Sequence, residues 1–288
     1  MRRQLKIVGL PITSVCNLRC THCLRNRVSK YGSCVWNMSV KQAALIASKI
    51  RDYSDYVNIS AGYGETFLNP NVSTIISVFN DHDIKTVAYS NATPATINSI
   101  TNSHVHLLLL SVDRFHFEFN SKSVEQLLNI YQNEVRFATN IHLNIVLHPR
   151  KDESKLIDYI KSLCFNHPTV IAEFHWLMPY ETVFEKTTTL PIYYQSLLSF
   201  GKQFLLPSST YSFQNKCSDI FNSLYFDEEG NVRSCCVYMD AYSELNIYKD
   251  DIPTIFHSDY LEEKRKYFAS HNGFTTCFNC PIGHGFIW

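Results

Sequence analysis

The chain has 288 residues, enough to bury one substantial core with a small appended module. Apolar residues make up 45% and charged residues 18%, the balance of a globular protein, which excludes a wholly disordered chain. Formal net charge is zero, so no basic surplus marks a nucleic-acid backbone as the main partner.

Along the first two-thirds of the chain, apolar runs alternate with amphipathic stretches. The first run, 5–12, predicts a strand, and a cysteine-rich loop follows it directly. Ser39 has the chemistry of a helix N-cap ahead of Ala43-Ala44-Leu45-Ile46-Ala47, so a helix is expected over 39–51. Further strands are expected at 56–61, 84–90, 105–112, 141–147 and 170–177, with helices at 71–80, 94–101, 124–133 and 153–165. Val105-His106-Leu107-Leu108-Leu109-Leu110 is nearly continuous in apolar residues, as a strand buried on both faces requires. Six such β/α units imply a parallel sheet with right-handed crossovers. Six are fewer than a closed eight-stranded barrel needs. The expected fold is therefore α/β, an open, partial TIM-like barrel of six β/α units over residues 1–207.

After about Pro191 the alternation ends. Residues 190–206 read as one further helix, and 259–270 as a charged amphipathic one. Segments 222–226 and 232–234, joined by Asp227-Glu228-Glu229-Gly230-Asn231, read as a hairpin around a Gly turn. A small C-terminal module is expected at 208–288.

No stretch approaches the length of a membrane span, and Met1-Arg2-Arg3-Gln4-Leu5-Lys6 lacks the apolar core of a secretion signal. The expectation is a cytoplasmic protein with no membrane partner, in which clustered thiols bind metal rather than form disulfides. Seven of the ten cysteines are clustered, and Cys34, Cys164 and Cys236 are expected to be unliganded. Cys16, Cys20 and Cys23 form C-x3-C-x2-C just after the first strand, on the ligand-binding side of a parallel sheet. Three thiolates on one loop suit three irons of a cubane with the fourth left open, or a zinc ion with His22 as the fourth ligand. Spacing alone leaves both open. Cys217 and Cys235 form C-x12-G-x4-C around Gly230, and Cys277 and Cys280 add C-x2-C. Four cysteines in two pairs are likewise zinc or iron–sulfur chemistry.

The first motif resembles the hallmark of the radical S-adenosylmethionine (SAM) superfamily, and further features follow in that family's order over residues 5–180. Gly62-Tyr63-Gly64-Glu65-Thr66 is similar to its GGE motif, with Tyr63 in place of a glycine. The resemblance implies that Tyr63, Gly64 and Glu65 bind the SAM amino group. It implies carboxylate or ribose contacts at Ser90, Asn91, Ser111 and Asp113, ribose contact at Asn144, and adenine contacts at Met178 and His22. Such residues at strand ends are equally common as turn and cap residues. The C-terminal set resembles the Twitch module, a shortened SPASM domain, with Cys217, Cys235, Cys277 and Cys280 as ligands of an auxiliary 4Fe–4S cluster. Four local ligands would close that cluster and give it a role in electron transfer.

By the same resemblance, the protein is an enzyme with two 4Fe–4S clusters and SAM as cofactors. It takes an electron from an external flavodoxin- or ferredoxin-like donor, cleaves SAM to a 5′-deoxyadenosyl radical, and abstracts a hydrogen atom from its substrate. The layout is similar to that of the superfamily's aminocyclitol dehydrogenases, which implies two-electron oxidation of a small hydroxylated or amino-bearing metabolite. The alternatives are radical modification of a peptide, for which no separate leader-binding domain is visible, and rearrangement of a nucleoside or DNA base. A zinc-stapled binding protein is the non-enzyme alternative. For proton handling the candidates are Glu173, His175, Tyr180 and Glu181 at the sixth strand, and Arg114, His116 and Glu118 after the fourth.

Overall fold

The computed structural model describes residues 5–20, 23, 35–61, 64–147, 152–176, 204–205, 219–235 and 241–271. The first β/α units follow from the sequence pattern. Strand β1 (Ile7–Gly9) leads through the cysteine loop to α1 (Val40–Ile50). Ser39 caps α1 by a capping box: its hydroxyl accepts the Gln42 backbone N–H, and the Gln42 side chain accepts the Ser39 N–H. Ala43, Ile46, Ala47 and Ile50 recur at helical spacing and are buried against the sheet. Next come β2 (Tyr56–Asn58), α2 (Val72–Asn80), β3 (Lys85–Ser90), α3 (Ile97–Thr101), β4 (Val105–Ser111) and α4 (Phe117–Asn133). They are followed by β5 (Ala138–Leu147), α5 (Ser154–Asn166) and β6 (Ile171–Trp176).

β1 to β6 pair in parallel with each neighbour in turn. Within β4, Leu108 and Leu110 join the large core between sheet and helices, whereas Leu109 joins a small inner cluster with Ile7, Val87 and Tyr225. The continuous apolar run thus serves two faces at once, as the period of two dictates.

Beyond β6 the structure departs from expectation. Phe204–Leu205, placed in a helix by their apolar pattern, form β7 instead, paired in parallel with Ala172 and Glu173 of β6. The edge of β6 supplies backbone hydrogen-bond partners there, and tertiary pairing overrides local propensity. The remainder of 190–206 lies outside the described residues. A short helix, α6 (Asp219–Asn222), precedes the expected hairpin of β8 (Ser223–Phe226) and β9 (Asn231–Arg233), which turns at Gly230 with φ 83°. A strand not read from sequence, β10 (Ala241–Asn246), pairs antiparallel with β9, and α7 (Ile252–Phe256) and α8 (Asp259–His271) follow. β8 pairs in parallel with β1, so the hairpin continues the same sheet. Among the described residues the strand order is β10-β9-β8-β1-β2-β3-β4-β5-β6-β7, an open, mostly parallel sheet with helices on one face.

Candidate functional site

The loop after β1 is rooted by buried hydrogen bonds. Asn69 donates its side-chain amide to the carbonyls of Ile12 (2.6 Å) and Met38 (3.1 Å), and Thr13 bonds Asn37 at 2.7 Å. Above that root Cys16, Cys20 and Cys23 are partly exposed, and the Cys23 N–H closes a turn on the Cys20 carbonyl. Two N–H groups approach the Cys16 sulfur, from Leu18 at 3.5 Å and Asn91 Nδ2 at 3.9 Å. Thiolates with N–H donors at sulfur are the ligand set an iron–sulfur cluster takes, so these residues fit one. Among the described residues no three His, Cys, Asp or Glu side chains converge to hold one metal ion. A cubane takes one thiolate per iron and does not ask the three sulfurs to meet at a point.

Gly64 lies against the root of this loop. A Cβ there would stand 2.1 Å from the Thr13 carbonyl oxygen, so only glycine allows the approach. The Glu65 N–H, next to it, donates to the Val15 carbonyl at 2.7 Å. The Glu65 carboxylate points inward and is 3% exposed. It accepts the Phe67 N–H (3.2 Å), the Ser90 hydroxyl (2.9 Å) and the Asn91 N–H (2.6 Å). Burial lifts its pKa from 4.5 to about 7 against the pull of those three donors. Glu65 thus holds the end of β3 in place.

Asn91 links that strand end to the cysteine loop, donating to Asn17 Oδ1 at 2.9 Å, while Asn17 donates to Thr93 at 2.7 Å. Its neighbour Ala92 has φ 50°, a left-handed conformation that a residue with a Cβ adopts at a cost of about 1 kcal/mol or more. Its N–H is held by the Ser90 hydroxyl at 2.9 Å. From α4, Asn120 donates to the carbonyls of Asn91 and Ser111, both at 2.7 Å, and so fixes the ends of β3 and β4 together. Asn120 has no motif around it, and no sequence signal marks this role.

Asp113 accepts the backbone N–H of Phe115 (2.8 Å) and of His116 (3.2 Å), and His116 Nδ1 at 2.8 Å. His116 Nε2 lies 3.3 Å from Cys20 Sγ. Burial alone would lower the His116 pKa, but hydrogen bonds and charge from Asp113 and Cys20 hold it up at about 10. Arg114 turns elsewhere, to the buried Glu153 carboxylate at 3.3 Å, and Glu118 sits in the first turn of α4.

Ser111, Asn144 and Glu173 stand in register across β4, β5 and β6. Ile141, Leu143 and Ile145 of β5 pack toward the helices, so His142 and Asn144 face inward. His142 Nδ1 contacts Glu173 Oε1, and the two side chains are 16% and 12% exposed. The alternation of β5 could have placed His142 on this face, but nothing in the sequence paired it with Glu173.

His175 lies on β6 opposite Val146. Cys235 is partly exposed just after β9, and Cys164 is buried in the core, where burial pushes its thiol up to about 12. His22, Tyr63, Met178, Tyr180, Glu181, Cys217, Cys277 and Cys280 lie outside the described residues, as do Cys34 and Cys236.

Residues 10–163, more than half of the chain, match the radical SAM superfamily. The chain belongs to that superfamily. Membership implies a SAM-binding 4Fe–4S cluster, SAM itself and an external electron donor. Radical SAM enzymes of known structure share the fold. SuiB of Streptococcus suis, bound to precursor peptide SuiA, gives a TM-score of 0.67 at 15% identity, over 97% of this chain and 70% of SuiB. The SuiB structure bound to S-adenosylmethionine gives 0.67 and 15%, over 98% and 69%. BtrN in complex with AdoMet and 2-DOIA gives 0.53 at 14% identity, over 93% of this chain and 88% of BtrN. At these identities the likeness is one of fold. No curated protein sequence matches the chain. No helix among the described residues is long and apolar enough to cross a membrane.

Proposed function

We propose that this radical SAM enzyme oxidises a small polar metabolite by two electrons, at a carbon that bears a hydroxyl or amino group. The observation that carries this reading is the His142–Glu173 pair on the inner face of the sheet. This face of the sheet also carries Ile7, Val87, Leu109 and Tyr225, and a partly buried carboxylate and imidazole set among apolar side chains cost stability that their pairing offsets only in part. Glu173, as a carboxylate, accepts from His142 Nδ1–H, which leaves Nε2 as the basic nitrogen. That is the arrangement of a general base held by an orienting carboxylate.

In this reading, residues 1–207 form the SAM-binding barrel and 208–288 a module in which Cys217, Cys235, Cys277 and Cys280 hold an auxiliary 4Fe–4S cluster. When bound, the clusters and SAM supply a 5′-deoxyadenosyl radical that takes a hydrogen atom, and an iron–sulfur acceptor for the second electron. His142 takes the remaining proton from the substrate hydroxyl or amine, which balances the oxidation. Cys16, Cys20 and Cys23 hold the first cluster. Tyr63, Gly64 and Glu65 line the SAM ammonium; Ser90, Asn91, Ser111 and Asn144 its carboxylate and ribose; His22 and Met178 its adenine. Asp113 is committed to His116 and to the turn that leads into α4, so its role is to shape the site.

A second reading, radical modification of a peptide, is favoured by the fold likeness to SuiB, which was solved with a peptide. Anaerobic reconstitution followed by reduction with SAM present tests both. About eight irons per chain and release of 5′-deoxyadenosine are expected, with about four irons lost in C16A/C20A/C23A and about four in C235A. A hydroxylated or aminated metabolite from the gene's neighbourhood should lose two hydrogens. A mass change in a neighbouring encoded peptide instead would establish the second reading. Stoichiometric zinc without absorbance at about 400 nm would sink both.

A further inference from the structure

His116 is a buried side chain that the proposed oxidation does not use, and it touches a cysteine of the N-terminal triad. The ring is spanned by two contacts, Nδ1 to Asp113 Oδ1 at 2.8 Å and Nε2 to Cys20 Sγ at 3.3 Å. Asp113 is 1% exposed, and its Oδ1 is already fixed by two backbone N–H groups. Behind it, the start of α4 is tied to the sheet by Asn120, which bonds Asn91 and Ser111. The imidazole therefore has little freedom to turn away from Cys20.

The chemistry of the two neighbours sets what the ring does. A carboxylate only accepts, so Nδ1 carries a proton. A thiolate that ligates iron has no proton to give, so contact at Nε2 is attractive only if that nitrogen also carries one. Between Asp113 and a ligating Cys20 the ring is a cation that donates on both sides. Hydrogen bonds to cluster sulfurs, and the groups that orient them, are levers by which a protein sets a cluster's potential.

We propose that His116, oriented by Asp113, is a positioning residue for the SAM-binding cluster: it donates Nε2–H to Cys20 Sγ and makes that cluster easier to reduce. The donated proton draws charge from the thiolate, and the reduced cluster, one electron more negative, gains more from this than the oxidised one. The inference rests on the family reading of Cys20 as a ligand and is independent of the substrate.

The test is a redox titration at fixed pH of the reconstituted full-length protein. It is followed by electron paramagnetic resonance on the reduced-cluster signal that SAM perturbs, which separates this cluster from any other. H116L removes the donor, and H116F does so while keeping a planar ring. H116Q keeps a side-chain N–H. Both apolar variants should need at least about a tenfold higher ratio of reduced to oxidised mediator for half-reduction, a shift of about 59 mV to lower potential. H116Q should recover part of it, and iron content should match the unaltered protein in whichever apolar variant folds. Unchanged potentials in the apolar variants, or H116Q as low as H116L, would overturn the inference and leave the family reading intact. A SAM-responsive signal missing from the unaltered protein would instead overturn Cys20 as a cluster ligand.

Discussion

Glu65 is nearly sealed from solvent, and its carboxylate is hydrogen-bonded yet too deeply buried to ionise easily. Its pKa stands at about 7 instead of the ordinary 4.5, chiefly because burial disfavours the charge. Between those two values the folded protein holds a proton that the unfolded chain has already released. The stability tied to Glu65 is therefore complete below pH 4.5 and is lost as the pH rises through about 7. A shift of this size corresponds to about 3 kcal/mol. In E65Q the group no longer titrates. The Gln oxygen still serves Phe67 and Ser90, but its NH2 faces the Asn91 N–H, which costs about 1–3 kcal/mol at every pH. The unaltered protein is thus expected to be the more stable at pH 5, and the difference to move by about 3 kcal/mol, or about 6–12 °C in Tm, in favour of E65Q by pH 8, which closes or reverses it. Melting curves of both proteins, prepared anaerobically with matched iron content, measure that gap across the range. Taking the difference cancels the other titrating groups. A gap that stays constant from pH 5 to pH 8 would refute the account of Glu65.

G64A should reduce iron retention on desalting and cost about 1–3 kcal/mol in melting experiments, because the clash is with backbone that has no rotamer to change. N120L strips the hydrogen bonds from two strand-end carbonyls, so a loss of about 2 kcal/mol is expected, together with weaker SAM binding by calorimetry. Unchanged SAM affinity in N120L would show that the two strand ends hold their places without it. Cys164 is buried in the core, so C164A should keep the full iron content and lose only about 1 kcal/mol of packing. A fall in iron would show that it is a ligand.

Much of the site was legible because its chemistry lies close together in the chain. The cysteine triad, the Gly64-Glu65 turn and the polar ends of β3 and β4 each occupy a few consecutive residues behind a strand, and a loop can present them without distant help. The Gly230 hairpin was legible for the same reason. The functions of single residues were less so. For Glu65 the resemblance implies an ammonium contact, and the structure adds that its carboxylate holds the end of β3. For Asp113 the resemblance implies a SAM contact, and the structure adds that it orients His116. Glu65 meets Ser90 and Asn91 from 25 and 26 residues away, and His116 meets Cys20 across 96, so only packing brings those partners together.

The sequence by itself determined the repeated β/α units, the capped α1 and the C-x3-C-x2-C loop after β1, because periodicity, capping and ligand spacing are local. Tertiary structure alone decided that β8 joins β1, that Phe204–Leu205 extend β6 as a strand, and that Asn120 binds two strand ends. It also decided that His116 meets Cys20 and that His142 meets Glu173. Strand pairing and burial are contacts between distant segments. One-dimensional patterns show which face a residue occupies, and the closed set of neighbours settles what it touches.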